Sequence, residues 1–138
     1  MVNIKFGTDG WRGVIAKDFT FENLERVAIG FAGYLKKNKK SKVVIGYDAR
    51  FFSDKFARRF AEVLSQSGIK CYLSKKIIPT PVLSFGVVKT GADAGVMITA
   101  SHNPPEYNGI KFKSGAGGSV TKEVTNEIEK NIAGVKEP

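Results

Sequence analysis

The sequence predicts an α/β fold of three layers, α/β/α, with a mixed, mostly parallel sheet of about four main strands and a short amino-terminal hairpin. Three observations carry this expectation. Short apolar runs alternate with segments whose apolar residues recur at helical spacing, the pattern of strand and helix units wound onto one sheet. The run Lys42–Gly46 (KVVIG) is apolar throughout and rich in β-branched residues, as in a strand covered on both faces. With 138 residues, 42% of them hydrophobic, the chain is long enough for one core and too short for two.

In order, Val2–Phe6 alternates as Val-Asn-Ile-Lys-Phe and reads as a first strand. Gly7-Thr8-Asp9-Gly10 turns it, and Gly13-Val14-Ile15 returns, which leaves Trp11 and Arg12 on the connection. Asp18 or Thr20 caps a helix to about Lys37, with Phe21, Leu24, Val27, Ala28, Phe31, Tyr34 and Leu35 on its inner face. After the Lys42–Gly46 strand, Asp48 and Arg50 stand at its carboxyl end, where ligands bind in open α/β sheets; a structural ion pair is the competing reading. Ser53 or Asp54 starts a second helix with Phe56, Phe60, Val63 and Leu64 inward, and Gly68 stops it.

Ile69–Leu73 is the next strand. Pro79-Thr80-Pro81 opens a helix to about Lys89, with Val82, Leu83, Val87 and Val88 as apolar contacts and Gly91 as terminator. A central strand from about Asp93 to Thr99 delivers the polar loop Ser101-His102-Asn103-Pro104-Pro105. The two prolines fix their own φ and restrain the residue ahead of each, so the loop is expected to hold a defined shape. Asn108-Gly109 reads as a turn, after which Ile110-Lys111-Phe112-Lys113 alternates as a short strand and carries Lys111 back beside the loop. Ser114–Ser119 reads as a flexible connection, followed by a helix from about Thr121 to Ala133. The reading is therefore one domain over residues 1–133, with 134–138 as the start of a linker.

Composition narrows the chemistry. Cys71 is the single cysteine and suits core filling, so no disulfide forms within the chain and a reducing cytoplasmic location is expected. With His102 the only histidine, no multi-ligand zinc site can be assembled. No run of about twenty apolar residues is present, and no signal segment is visible, so the reading excludes a membrane span. The net charge of +9, with a pI near 9.7, has two readings. The lysines at positions 36, 37, 39, 40 and 42 suit a helix carboxyl end and solubility, or the field attracts an anionic ligand. Nucleic acid is the weaker candidate because aromatics are not interleaved with the basic cluster. A serine hydrolase is disfavoured, since no Gly-x-Ser-x-Gly elbow is present and no carboxylate is placed to orient His102.

The segment Thr99-Ala100-Ser101-His102-Asn103-Pro104, followed by Glu106-Tyr107-Asn108-Gly109-Ile110-Lys111-Phe112, resembles the active-site loop of the α-D-phosphohexomutases, the family of phosphoglucomutase and phosphomannomutase. Phe6-Gly7-Thr8-Asp9-Gly10-Trp11-Arg12-Gly13 resembles that family's opening signature, and Gly46-Tyr47-Asp48-Ala49-Arg50 its next segment, in the same order. The resemblance covers essentially the whole chain but only the first of the family's four domains. It implies that Ser101 carries a transferable phosphoryl group between the 1-phosphate and 6-phosphate of a hexose through a sugar bisphosphate. It further implies Lys111 as general acid or base, Arg12 as the group that stabilises transferring charge, and His102 as an orienting donor. Thr8 and Asn103 are implied as supporting donors to substrate. A lysine's ordinary pKa of about 10.4 is too high for a base at neutral pH, so burial or a neighbouring cation must lower it.

The resemblance also implies Mg²⁺ held mainly by aspartates of an absent second domain, with the phosphate on Ser101 as the only metal ligand this chain offers. The remaining domains of the same enzyme are thus the expected partners, and the 138 residues alone are expected to fold without catalysing the full reaction. Pro105-Glu106-Tyr107-Asn108 looks more like the glucose and mannose enzymes than the glucosamine ones. A phosphoglucosamine mutase domain, or a basic anion- or nucleic-acid-binding module, stands as the alternative.

Overall fold

The apolar runs that the sequence marks as buried become the centre of one sheet. The computed structural model describes residues 2–7 and 9–136. Its elements are β1 (Trp11–Val14), α1 (Phe21–Lys37), β2 (Lys42–Tyr47), α2 (Ser53–Gln66), β3 (Lys70–Leu73), α3 (Thr80–Thr90), β4 (Ala94–Ile98), β5 (Tyr107–Ser114) and α4 (Lys122–Ala133). The five strands lie in the order β1-β5-β4-β2-β3. β2 pairs parallel with β3 and β4, whereas β5 pairs antiparallel with β4 and β1. The sheet is mixed as expected, with parallel and antiparallel pairings in equal number.

The sheet's two faces are filled differently. Val43, Ile45, Val96, Ile98, Ile110 and Phe112 belong to one buried cluster with the inner residues of α1, α2 and α4. Phe31 of α1 stacks on Phe112 with ring centroids 4.4 Å apart. α4 lies close against α1: a Cβ at Gly30 would come within 2.6 Å of Ile132, and Asn131 donates to the Gly30 carbonyl at 3.1 Å. The opposite face is covered by α3, which packs on β2 and β4. Leu83 and Val87 of α3 sit over Gly46 and Gly95, where an added Cβ would strike Ile78 and Val87 at 2.7 and 2.6 Å.

Local signals fix most helix ends. The Thr20 hydroxyl accepts from the Asn23 amide at 3.1 Å and caps α1, while Thr121 caps α4 by accepting from the Val124 amide. α3 follows Pro79 and stops at Gly91, whose φ of +67° suits a left-handed terminator.

Five expectations are corrected. Val2–Phe6 forms no strand; Gly7 and Gly10 close the turn by exchanging backbone bonds of 3.1 Å, and β1 begins at Trp11. Trp11 and Arg12 are thus in the sheet, paired with Ile110 and Gly109, because Trp11 finds burial there against Phe19. Asn108-Gly109 is no turn but part of β5: Asn108 is fully buried on Ser53, and Gly109 admits no Cβ between the carbonyls of Trp11 and Thr99. Val82 and Val88 are about half exposed, since one side only of α3 meets the sheet, and Phe21 is 37% exposed at the start of α1. The segment from 114 to 119 is a hydrogen-bonded turn, with the Ser114 amide donating to the Gly118 carbonyl and the Gly117 amide to that of Ser114.

Candidate active site at the end of β4

β4 is buried along its whole length and ends at Ile98, after which Thr99 and Ala100 deliver Ser101 to a half-buried position. Ser101 has a φ of +51°, in the left-handed region that costs a non-glycine residue about 1–3 kcal/mol. The surrounding bonds over-determine that conformation. The Ser101 amide donates to Thr99 Oγ1 at 3.0 Å, and Thr99 Oγ1 donates to Asp48 Oδ2 at 2.6 Å. Asp48 Oδ1 accepts from the Arg50 amide at 3.0 Å and the Ser53 hydroxyl at 2.8 Å, and Ser53 Oγ accepts from Asn108 Nδ2 at 2.9 Å. Both carboxylate oxygens of Asp48 are occupied.

Arg50 completes the support. Its Nη1 donates to the carbonyls of Pro104 and Tyr107 at 2.8 and 3.0 Å, and its Nη2 to those of Ser101 and Asn103 at 2.8 and 2.6 Å. Nε lies 3.5 Å from Asp48. The alternatives for Asp48 and Arg50, site or ion pair, merge: they are an ion pair that builds the loop.

Strand register sets the basic residues on one face, and Arg12 among them contacts the loop. Arg12 pairs with Gly109, and Lys111 and Lys113 follow Gly109 at every second position of β5, so the three cationic residues lie on one face. That is the face that α3 covers over β2 and β4. Gly109 makes room for Arg12, whose Cγ would lie 3.1 Å from an added Cβ. Arg12 Nη1 donates to Asn103 Oδ1 and so joins β1 to the loop, and Nη2 lies 3.9 Å from Asp9. Arg12 Nε is buried without a partner among the described residues.

Lys111 is half-buried, and this burial pushes its pKa below the ordinary 10.5; Asp9 opposes the shift while Arg12 and Lys113 reinforce it. Lys111 lines a groove of about 410 Å³ with Gly7, Asp9, Gly10, Lys113 and Lys122. Ser101 lines a shallower hollow with Asp48, Arg50, Asn103 and Pro105. His102 is exposed, and its side chain makes no hydrogen bond among the described residues. Thr8 lies outside the described residues. Burial pushes the Cys71 thiol pKa up, in keeping with a filler rather than a nucleophile.

Metal binding finds no donor set here. Among the described residues no group of three His, Cys, Asp or Glu side chains is gathered, and Asp48 beside Ser101 has both oxygens engaged. These residues do not by themselves fit a divalent ion.

The sequence marks Ser53 as a helix start, Asn108 as a turn residue and Thr99 as a strand end, but not their joint part in supporting the loop. A usable signal was nevertheless present: two consecutive prolines remove two amides from the loop, so its carbonyls need donors from elsewhere, and Arg50 has five.

The family model for phosphoglucomutase/phosphomannomutase, alpha/beta/alpha domain I, matches residues 3–138. The chain belongs to this family. A phosphoglucomutase of Staphylococcus haemolyticus (strain JCSC1435) is 38% identical over 139 residues, covering 98% of this chain and 25% of that protein. A phosphoglucosamine mutase of Prochlorococcus marinus (strain AS9601) is 39% identical over 127 residues, covering 92% of this chain and 28% of that protein. The solved structure of a Thermus thermophilus protein, assigned as a phosphomannomutase, superposes with a TM-score of 0.93 at 45% identity, over 95% of this chain and 30% of that one. The chain thus spans between a quarter and a third of the length of these relatives. No helix among the described residues is long and apolar enough to cross a membrane.

Proposed function

We propose that residues 1–133 are the phosphoryl-carrying domain of a phosphohexomutase, an intramolecular phosphotransferase that interconverts hexose 1-phosphate and hexose 6-phosphate. Ser101 Oγ is the carrier. In the first half-reaction a sugar hydroxyl attacks phosphorus on phosphorylated Ser101, the P–Oγ bond breaks, and a sugar bisphosphate forms. In the second, Ser101 Oγ attacks the other phosphoryl group of that bisphosphate; the P–O bond to the sugar breaks and the phosphoserine is restored. Lys111 accepts the hydroxyl proton in one direction and returns it in the other, a role its lowered pKa favours. Arg12, whose side chain is partly exposed beside the loop, stabilises charge on the transferring group. His102 and Asn103 position substrate or phosphate, and Thr8 is a further donor.

The observation that carries this reading is a half-buried serine held in the left-handed region at the tip of a core strand, with Arg12 bonded to its loop. Transfer of this kind depends mainly on positioning and charge neutralisation, which a rigid loop with fixed cations supplies. Mg²⁺ would draw only one ligand from this chain, the phosphate on Ser101, and its other ligands from segments that relatives several times longer contain. The same segments would recognise the sugar, so the 138 residues alone are expected to carry a phosphoryl group without completing the interconversion. A reducing, cytoplasmic setting suits the single unpaired thiol.

Glucosamine phosphate is the second reading of the substrate, favoured by the near-equal identity of the phosphoglucosamine mutase relative. The decisive measurement is mass spectrometry after exposure to a hexose bisphosphate. Uptake of one phosphoryl group at Ser101, abolished by Ser101→Ala, is the expected result; uptake that persists in the alanine variant sinks the assignment.

A further inference from the structure

The Ser101 loop is unusual in its backbone chemistry. Asn103 is followed by Pro104 and Pro105, which have no N–H, so this stretch presents carbonyls with few donors of its own. Four of those carbonyls, of Ser101, Asn103, Pro104 and Tyr107, converge on one guanidinium, all within 3.0 Å. Their oxygens gather partial negative charge near a serine proposed to carry a phosphate, and an unpaired cluster of that kind would oppose a second negative group. A planar, permanently charged fork is the side chain that can meet four acceptors at once; a lysine offers three donors from one point.

We propose that Arg50 is the positioning residue that holds the Ser101 loop ready to carry a phosphoryl group. Arg50 acts through the loop and not on the substrate. The peptide plane makes the consequence specific: a carbonyl and the next N–H point in opposite directions, so drawing the Ser101 carbonyl onto Arg50 turns the His102 amide away from it. Among the described residues that amide has no acceptor, which leaves it as a donor for a phosphate on Ser101. Asp48 sets both parts of the device. It orients Arg50 through its amide and its Nε, and through Thr99 it fixes the amide of Ser101 itself.

This inference rests on Ser101 being the phosphoryl carrier, and its test has two arms that fail separately. In the first, amide hydrogen exchange is followed in the 138-residue protein and in Arg50→Ala and Arg50→Lys. The amides of Ser101, Asn103 and Tyr107, bonded to Thr99 Oγ1, the Ala100 carbonyl and the Pro104 carbonyl, are expected to exchange about tenfold faster or more in Arg50→Ala. Those of α1 should hold their rates. Arg50→Lys, which keeps the charge and guards against a variant that does not fold, should loosen the same three amides. Unchanged exchange at these amides in a folded variant overturns the clamp.

In the second arm, phosphoryl uptake at Ser101 from a hexose bisphosphate is measured by mass spectrometry. Slower uptake in Arg50→Lys at unchanged half-saturation by the donor supports positioning; a change in half-saturation alone assigns Arg50 to donor binding and overturns the proposal. Failure of the unsubstituted protein to take up phosphate removes the carrier reading, and the proposal with it, whatever the exchange rates show.

Discussion

The two halves of the sheet are built to opposite rules. Around β2 and β4 the strands are parallel, helices lie on both faces, and glycines at 46 and 95 let α3 sit close. Around β5 and β1 the pairing is antiparallel, one face is buried by Trp11, Ile110 and Phe112, and the other carries Arg12, Lys111 and Lys113. Parallel strands need cover on both sides, whereas antiparallel ones tolerate a wet face. Reversing strand direction after β4 is therefore what lets a buried sheet present Arg12 beside the loop that leaves its own core strand, with Lys111 and Lys113 further along the same face.

That contrast can be broken most forcefully from the covered half. Phe31→Ala empties a fully buried ring site against Phe112 and should cost about 3–5 kcal/mol in denaturant unfolding, with loop exchange rates following global stability only. A smaller effect is expected where the halves meet. In Gly109→Ala a Cβ would press on the carbonyls of Trp11 and Thr99 at 2.5 and 2.7 Å, so the strands must part, for a loss of about 1–3 kcal/mol. Because Arg12 lies against the same position, its bond to Asn103 should weaken, visible as a change in the Asn103 side-chain amide resonances. A stability equal to wild type would show that the pairing yields more readily than the distances imply.

The smallest effect sharpens the comparison through pH. Lys111 has a folded pKa below its ordinary 10.5, so between the two values the unfolded chain binds more protons than the folded one. Stability should therefore rise with pH across that window, and the burden of the buried charge is fully present below it. Lys111→Met removes this group, and the variant should be no less stable near neutrality and lack that rise on the approach to 10.5. A rise of the same size in both proteins would mean that another group titrates there.

Helix ends were legible because their causes are local: the Thr20 and Thr121 hydroxyls, Pro79, Gly68 and Gly91 act within a few residues of themselves. The strand partners were not, because β1 meets a segment at the far end of the chain and pairing energy leaves no local trace. Asn108-Gly109 misleads for the same reason. Its turn propensity is real, but a buried amide for Ser53 and a bare Cα between two strands are tertiary demands that override it. The loop at Ser101 and Arg12 were readable from motifs, and Arg12 does bond to that loop, whereas Lys111 lines a separate groove that Ser101 does not line. The joining of Asp48, Arg50 and Thr99 into one support is visible only in coordinates, since side chains from the loop after β2 and the end of β4 share bonds no sequence spacing relates.

The contact of Asn131 with Gly30 spans 101 residues, and Ile128 and Ile132 seal α1 from above. During synthesis the first helix thus waits beside its sheet until almost the last residues of the segment leave the ribosome. Until then Phe31 and its neighbours lack part of their roof, which makes this interval the one in which a chaperone has most to hold.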